Sequence, residues 1–158
     1  VGFIGRLTEE KGFDVFCDLA EKKYPDVRFV VAGKPTSSES SRKLQERARQ
    51  AGVKLLGFVS LKVFLDNVDI VVLPIKWREP FGRTVIECAL TGCCVYTTAS
   101  GGVKELIGLS PNIKKIDNID EVLRVREEVR ISEEHRNLLF ESVDPDRVVS
   151  EYIKAYRG

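Results

Sequence analysis

Residues 70–87 read IVVLPIKWREPFGRTVIE, and this stretch determines how the rest of the chain is interpreted. It begins with a short apolar run that is typical of a buried β-strand. A loop containing Gly82 follows, and a stretch with helical spacing comes after it. One carboxylate, Glu79, lies in the loop, and a second, Glu87, lies about one turn inside the predicted helix. The segment therefore predicts a strand, a ligand-binding loop and a helix in succession.

The same alternation of apolar runs and amphipathic stretches continues along the chain. Strands are predicted at residues 1–4, 28–32, 54–58, 70–73, 93–97 and 113–116. Helices are predicted around residues 13–20 and over 38–51, 61–67, 83–91, 103–107, 119–129, 132–142 and 145–156. This order predicts an α/β fold with a Rossmann-like parallel sheet and helices on both faces.

The composition limits the class of protein. The chain has 158 residues, of which 43% are hydrophobic and 31% charged, as in one soluble globular domain. No apolar run approaches the ~20 residues of a membrane-spanning helix, and no signal-peptide pattern opens the chain. The net charge of +1 argues against a general nucleic-acid binder, which needs a positive excess. We expect a cytoplasmic protein in which any anion recognition is local.

The cysteines and the single histidine predict no reactive centre. Cys17, Cys88, Cys93 and Cys94 have the spacing of neither a metal site nor a disulfide framework, and we interpret them as small buried thiols. His135 is predicted on a solvated helix, without a nucleophile partner nearby. The chain contains no methionine, so we expect a piece of a longer gene product that has been shortened at its front.

Ligands of such a sheet bind beyond the carboxyl ends of its strands, which here are followed by loops. The first loop, residues 5–12, reads GRLTEEKG and carries a cation on each side of a turn. Arg6 offers a planar fork to phosphate oxygens, and Lys11 offers a compact charge. By itself this segment is equally well interpreted as a solvated turn.

The loop at residues 74–82 combines an anion site with carboxylates. The amides at the start of the helix after Gly82 favour an anion. Glu79 and Glu87 repel phosphate but suit sugar hydroxyls, because a carboxylate accepts two hydrogen bonds from neighbouring oxygens. Glu87 is also explained as a helix acid that pairs with Arg83 one turn earlier.

Three loops together resemble the donor-binding half of a GT-B glycosyltransferase of family 4, the large group of retaining sugar transferases. They are Gly-Arg-Leu with Lys-Gly at 5–12, Glu-Pro-Phe-Gly with a second glutamate at 79–87, and Gly-Gly with a glutamate at 101–105. The resemblance implies one nucleotide-sugar donor-binding domain over residues 1–158. It also implies that an N-terminal acceptor-binding domain is absent from this chain.

The resemblance implies a role for each matched residue. Arg6 and Lys11 match the pair that neutralises the donor's diphosphate, and Glu79 matches the acid beside the sugar's hydroxyls; these three are the candidate catalytic residues. Glu87 matches the acid that holds the ribose hydroxyls, and the backbone of Gly5 comes near the phosphates. The other candidate donor contacts are Gly57, Phe58 and Val59 at the nucleobase, and the amides of Phe81, Gly82, Arg83 and Thr84 at the sugar and distal phosphate.

The implied reaction moves a hexosyl group, such as mannosyl or glucosyl, from a nucleoside-diphosphate sugar to an acceptor such as a growing or lipid-linked glycan, with retention. No metal or other cofactor is expected, because the cation pair can stabilise the leaving diphosphate. Asp-Pro-Asp at 144–146 is then a helix N-cap rather than a metal motif. We expect the isolated fragment to be inactive, since the acceptor, and any membrane association, would depend on the missing domain.

Other functions compete with this one. A dehydrogenase would need Gly-x-Gly-x-x-Gly after the first strand, and Gly2 and Gly5 do not supply it. A GT-B sugar-nucleotide epimerase would use similar phosphate and ribose contacts, although the Glu-Pro-Phe-Gly loop favours transfer. A non-catalytic nucleotide-sugar-binding module is the remaining alternative. Lys34, at a turn that departs from the family's pattern, is a further candidate for a phosphate or base contact.

Overall fold

The computed structural model describes residues 1–123, 131–144 and 146. Six strands lie in that part of the chain: β1 Gly2–Ile4, β2 Val30–Ala32, β3 Lys54–Gly57, β4 Ile70–Leu73, β5 Cys94–Thr97 and β6 Ile113–Lys115. They form one sheet in the order β3-β2-β1-β4-β5-β6, and every pair is parallel. The predicted α/β fold with a Rossmann-like parallel sheet is confirmed.

The helices follow the predicted order. They are α1 Phe13–Glu21, α2 Glu39–Gln50, α3 Leu61–Leu65, α4 Arg83–Leu90, α5 Val103–Leu106 and α6 Glu133–Val143. Single-turn 3-10 helices cover Glu9–Lys11 and Ile119–Glu121. The predicted helix over 119–129 is described only in its first residues, as the second of these turns. The rest of it, and nearly all of the predicted helix over 145–156, lie outside the described residues.

The strand order reverses at the centre of the sheet. The chain builds β1, β2 and β3 outward in one direction and then returns to place β4 on the other side of β1. Gly2 of β1 accordingly pairs with Val30 on one side and Val71 on the other. Such a reversal opens a crevice between the carboxyl ends of the two central strands. The loops that follow β1 and β4 therefore meet at the point where a ligand is expected.

A cluster of buried phenylalanines fixes α1 behind the first of these loops. The ring of Phe3 in β1 lies 5.2 Å from that of Phe13 and 5.6 Å from that of Phe16 in α1, measured between centroids. Phe16 also meets Phe29 edge-on at 5.8 Å. Burying each ring contributes roughly 2 kcal/mol, so the start of α1 is held firmly against the sheet.

The cysteines are free thiols, and three of the four are buried, as expected. Burial raises the pKa of Cys17 and of Cys88 to about 12, so both are protonated at neutral pH. His135 lies in α6, half-buried, with its Nδ1 2.7 Å from Ser132 Oγ. Within the described residues, no helix is long and apolar enough to cross a membrane.

Candidate functional site

A small cleft opens between the carboxyl ends of β1 and β4, where the strand order reverses. Half of the residues predicted to form the site line it: Gly5, Lys11, Glu79, Gly82, Arg83 and Thr84. Its apolar wall includes Phe3, Leu73 and Ile75. The sheet thus brings the first loop, the loop after β4 and the start of α4 into one site.

An ion pair between the first loop and the loop after β4 forms part of the lining of this cleft. Lys11 Nζ lies 2.6 Å from Glu79 Oε2, although the two residues are 68 positions apart. The two side chains are only 22% and 16% exposed. Trp77 holds the pair from the side: its Nε1 donates to the same Oε2 at 2.9 Å, and Lys11 Nζ lies 4.5 Å from its ring centroid.

These contacts keep Glu79 ionised. Burial by itself would raise the pKa of Glu79, but the hydrogen bond from Lys11 and the charge of its ammonium group oppose that effect. The Trp77 indole and the Gly82 amide act in the same direction, and the pKa of Glu79 ends below its ordinary value. The group is therefore an anionic hydrogen-bond acceptor at neutral pH, which suits hydroxyl groups and repels phosphate.

Two arginines among the predicted site residues have acidic partners. Arg6 lies on an exposed turn 3.7 Å from Glu10. Arg83 Nε donates to Glu87 Oε1 at 2.7 Å, which is the pairing that the sequence allowed as an alternative for Glu87. Exposed pairs of this kind contribute little to stability, so a ligand can exchange for one of the partners. The ribose role of Glu87 stays a prediction.

Helix α4 begins at the cleft with no side chain on its amides. Its N-cap is Gly82, and no side chain accepts a hydrogen bond from the first turn. Val85 and Ile86 return their amides to the Gly82 carbonyl, so the amides before them, at Arg83 and Thr84, mark the positive end of the helix. The start of α4 thus lacks a side-chain cap, as Gly82 predicts, and it is suited to an anion.

The turn at Gly101 and Gly102 packs against the loop that carries Glu79. Gly102 donates its amide to the carbonyl of Glu79 at 2.7 Å, and the Ser100 hydroxyl donates to the carbonyl of Trp77. A Cβ on Gly101 would lie 2.1 Å from the Glu79 carbonyl oxygen, and one on Gly102 would lie 2.0 Å from that of Pro80. Only glycine permits this approach, so the turn sets the position of the loop that carries Glu79.

The stretch predicted at the nucleobase lies on the other side of β1. Phe58 follows β3 and is 74% exposed, and Lys34 Nζ lies 4.4 Å from its ring centroid. Gly33 donates to the Gly57 carbonyl at 2.8 Å, which joins the turns after β2 and β3. The predicted residues that do not line the central cleft are Arg6, Gly57, Phe58, Val59, Phe81 and Glu87. Their contacts with a donor stay predictions.

The sequence predicts that no metal ion is bound and that Asp-Pro-Asp at 144–146 is not a metal motif. Among the residues that the structure describes, no group of three His, Cys, Asp or Glu side chains is placed to hold a metal ion. The Asp144 carboxylate accepts a hydrogen bond from the Asp146 amide at 3.1 Å, and nearly all of the helix that it was predicted to cap lies outside the described residues.

Sequence reasoning did not select Trp77. It is the single tryptophan of the chain and lies two positions before Glu79. A tryptophan at that position in a ligand loop could have indicated a site residue. Its contacts, however, depend on how the first loop and the loop after β4 meet in the fold. Trp77 and Lys76 both donate their amides to the Glu10 carbonyl, at 3.1 and 3.0 Å, and so tie the loop after β4 to the first loop.

Comparison with known proteins identifies the family of this chain. The model of the family described as "Glycosyl transferases group 1" matches residues 1–137. An uncharacterized 42.6 kDa protein in the cps region of Klebsiella pneumoniae is 39% identical over all 158 residues, which cover 40% of that protein. The 2-deoxystreptamine N-acetyl-D-glucosaminyltransferase of Niallia circulans is 30% identical over 114 residues, which are 66% of this chain and 28% of that enzyme.

A solved structure shows the same fold. Anabaena HepE, crystallised in complex with UDP, superposes with a TM-score of 0.77 at 21% identity. The match covers 99% of this chain and 48% of HepE. The chain therefore spans less than half the length of these relatives, and its fold corresponds to one half of a GT-B structure. On the family match over most of its length, the chain belongs to the group 1 glycosyl transferases, family 4.

Proposed function

We propose that this chain is the donor-binding domain of a retaining glycosyltransferase that takes a hexosyl group, such as glucosyl or mannosyl, from a UDP-sugar. The observation that carries the proposal is the central cleft, where Lys11 and Glu79 meet beside the uncapped start of α4. Within this cleft the cation and the helix N-terminus are suited to the phosphates of a sugar donor, and the acid is suited to a hydroxyl of its sugar.

The proposed chemistry follows from these charges. As the bond between the sugar and the nucleoside diphosphate breaks, negative charge develops on the distal phosphate. Lys11 and Arg6, with the amides of Arg83 and Thr84, would stabilise that charge, and such preorganised electrostatic stabilisation often contributes more to catalysis than any other effect. Glu79 would orient the sugar through its hydroxyls. In this proposal no residue requires a metal ion.

The choice of nucleotide to test comes from a related structure, and the position of its base is proposed from the exposed ring of Phe58. UDP is bound in the HepE structure, which makes it the first nucleotide to test. Phe58 offers an exposed aromatic face at the carboxyl end of β3, and Lys34 lies against that ring. A base that stacks there would lie on the β2 side of the phosphate site, at the end of the crevice away from Glu79.

Calorimetry on the chain tests the donor role. We expect UDP to bind in the presence of EDTA, and to bind more tightly than GDP or ADP. Glu87→Ala should weaken UDP binding about tenfold, because two ribose hydroxyls lose a charged acceptor. Glu39→Ala is the matched control, since Glu39 pairs with Lys43 on α2 with the same one-turn spacing and neither residue lines the central cleft. Binding that appears only with Mg²⁺, or an unchanged affinity for Glu87→Ala, would contradict the proposal.

The alternatives differ in what a longer protein that contains this domain would do with a bound donor. A transferase should release UDP in step with a glycosylated acceptor, whereas an epimerase should interconvert two UDP-sugars without an acceptor. A binding module should do neither. The acceptor, proposed to be a growing or lipid-linked glycan, and a cytoplasmic site of action can be tested only with such a longer protein. Transfer assays with it, using UDP-glucose and glycan acceptors, would distinguish the three functions.

A further inference from the structure

Trp77 connects the first loop to the loop that carries Glu79, although it was not among the predicted site residues. It lies on the loop between β4 and α4 and is 37% exposed. Its amide donates to the carbonyl of Glu10 in the first loop at 3.1 Å. Its carbonyl accepts from the hydroxyl of Ser100 in the loop after β5. Two neighbouring loops, those after β1 and β5, therefore fix the backbone of this one residue.

The side chain of Trp77 touches both members of the central ion pair. The indole Nε1 donates to Glu79 Oε2 at 2.9 Å, and Lys11 Nζ donates to that same oxygen at 2.6 Å. The Lys11 ammonium also lies 4.5 Å from the centroid of the indole ring. The Trp77 side chain thus supplies a hydrogen bond to the Glu79 carboxylate and an aromatic face to the Lys11 ammonium group.

This arrangement matters when a donor binds. A diphosphate competes with Glu79 for Lys11, and a partly buried carboxylate that loses its cation is destabilised unless another donor remains. The indole N–H of Trp77 is such a donor, and it does not carry a charge that would be drawn to the phosphate. The ring at the same time keeps the ammonium close to the cleft while its partner changes.

We infer that Trp77 is a positioning residue for the donor site: it keeps Glu79 ionised and oriented when Lys11 exchanges Glu79 for the donor's diphosphate. The inference rests on the proposed function for the identity of the ligand. Its structural part, the coupling of Trp77 to Glu79, is independent of any ligand. Two other charged side chains lie near the pair: Arg83, which lines the same cleft, and Glu10, which precedes Lys11 in the first loop.

Two variants separate the hydrogen bond from the aromatic face. Trp77→Phe removes the N–H donor and keeps a ring beneath Lys11, whereas Trp77→Leu removes both. Phe140→Leu is the matched control, because Phe140 is an exposed aromatic residue on α6. Circular dichroism checks that each variant is folded. The affinity for UDP-glucose is then measured by calorimetry from acid to neutral pH, a range over which its doubly esterified diphosphate keeps a constant charge.

At neutral pH we expect Trp77→Phe to bind UDP-glucose about tenfold more weakly, Trp77→Leu more weakly still, and Phe140→Leu like the unaltered chain. On acidification, binding should weaken as Glu79 takes up a proton. In Trp77→Phe this loss should begin at a higher pH, because the carboxylate has lost one of the donors that favour its ionised form. A loss of packing alone would lower the affinity equally at every pH.

A second readout needs no ligand. The pKa of Glu79, followed by NMR of its carboxyl carbon, should be higher in Trp77→Phe than in the unaltered chain. An unchanged pKa together with an unchanged pH profile of binding would overturn the inference. If the unaltered chain binds neither UDP nor UDP-glucose, the proposed function fails instead, and the NMR titration still decides whether Trp77 controls Glu79.

Discussion

The helices that start at the ligand edge of the sheet begin in two different ways. Those beside the central crevice, α1 and α4, begin at Gly12 and Gly82 without a side-chain cap. The outer helices α2 and α3 begin at Ser38 and Ser60, whose hydroxyls accept amide hydrogen bonds at 3.2 and 3.4 Å. A serine cap stabilises a helix by ~1 kcal/mol. At α1 and α4 this stabilisation is absent, and at α4 the amides of Arg83 and Thr84 remain for a ligand.

The lysines of the two regions differ in the same way. Lys62 on α3 pairs with Asp66 one turn away, and the two side chains are 83% and 61% exposed. Lys11 instead pairs with Glu79 from another loop, in a cleft and against an indole ring. The first arrangement is a solvated helix pair with little effect on stability. The second holds a charge ready at a defined point, which is the property that a binding site needs.

The largest expected effect is on the free energy of unfolding when a glycine of the crevice is compared with one outside it. Gly12 and Gly52 have nearly the same backbone angle, with φ of 79° and 80°. A Cβ on Gly12 would lie 1.9 Å from the Pro74 carbonyl oxygen, whereas one on Gly52 would meet nothing within 4 Å. We expect Gly52→Ala to lower the free energy of unfolding by about 1 kcal/mol and Gly12→Ala by at least about 3 kcal/mol.

Urea unfolding of the two glycine variants measures this difference. Because both substitutions carry the same backbone strain, the excess in Gly12→Ala reports the contact between the first loop and the end of β4. Equal losses of stability in the two variants would mean that the crevice loops are not packed as described.

The next effect concerns the lysines. Lys11→Ala should weaken UDP binding about 30-fold, since a charge-assisted hydrogen bond to phosphate is lost. Lys62→Ala, the control from the outer region, removes the same kind of side chain and should change the affinity by less than about twofold. Calorimetric titrations with UDP compare them directly. Similar losses in both variants would show that net charge, rather than the position of Lys11, governs binding.

A smaller effect is expected at the serine caps. Ser38→Ala should lower the free energy of unfolding by about 1 kcal/mol and leave UDP affinity unchanged, because Ser38 caps a helix and does not line the central cleft. Ser37→Ala, at an exposed neighbouring position, should alter neither quantity. Denaturant unfolding gives the first value and calorimetry the second. A stability loss in Ser37→Ala as large as that in Ser38→Ala would remove the cap as its cause.

The smallest effect is on pH dependence. In the folded chain the pKa of Glu79 is below its ordinary value. The ion pair with Lys11 therefore stabilises the fold at any pH above the pKa of Glu79 in the unfolded chain. This stabilisation is lost as the pH falls through the pKa of Glu79 in the folded chain. Lys11→Ala should raise the pKa of Glu79 and reduce this acid-side slope. NMR titration of the carboxyl carbon measures the pKa. A pKa that stays low in the variant would show that Lys11 is not its main opposing influence.

The fold followed from local pattern, whereas the centre of the site did not. Each strand is a short apolar run between turn residues, so residues 70–73 or 94–97 are recognisable one at a time. The pairing of Arg83 with Glu87 was also foreseeable, since a helix places these positions on one face. The bond between Lys11 and Glu79 spans 68 positions and depends on which strands are neighbours. Trp77 was missed for the same reason, because its partners come together only in the folded chain.

An NMR titration of the chain with UDP tests most directly whether the glycine-started helices form the ligand site. We predict that the largest amide shifts fall on the first loop, from Gly5 to Gly12, and on Gly82, Arg83 and Thr84, with smaller ones at Gly57 to Val59. The amide of His135, which is bound to the Ser132 cap of α6, should not move. Unchanged signals for Arg83 and Thr84, with the largest shifts at Ser41, Val63 or His135 in the serine-capped helices, would contradict the account.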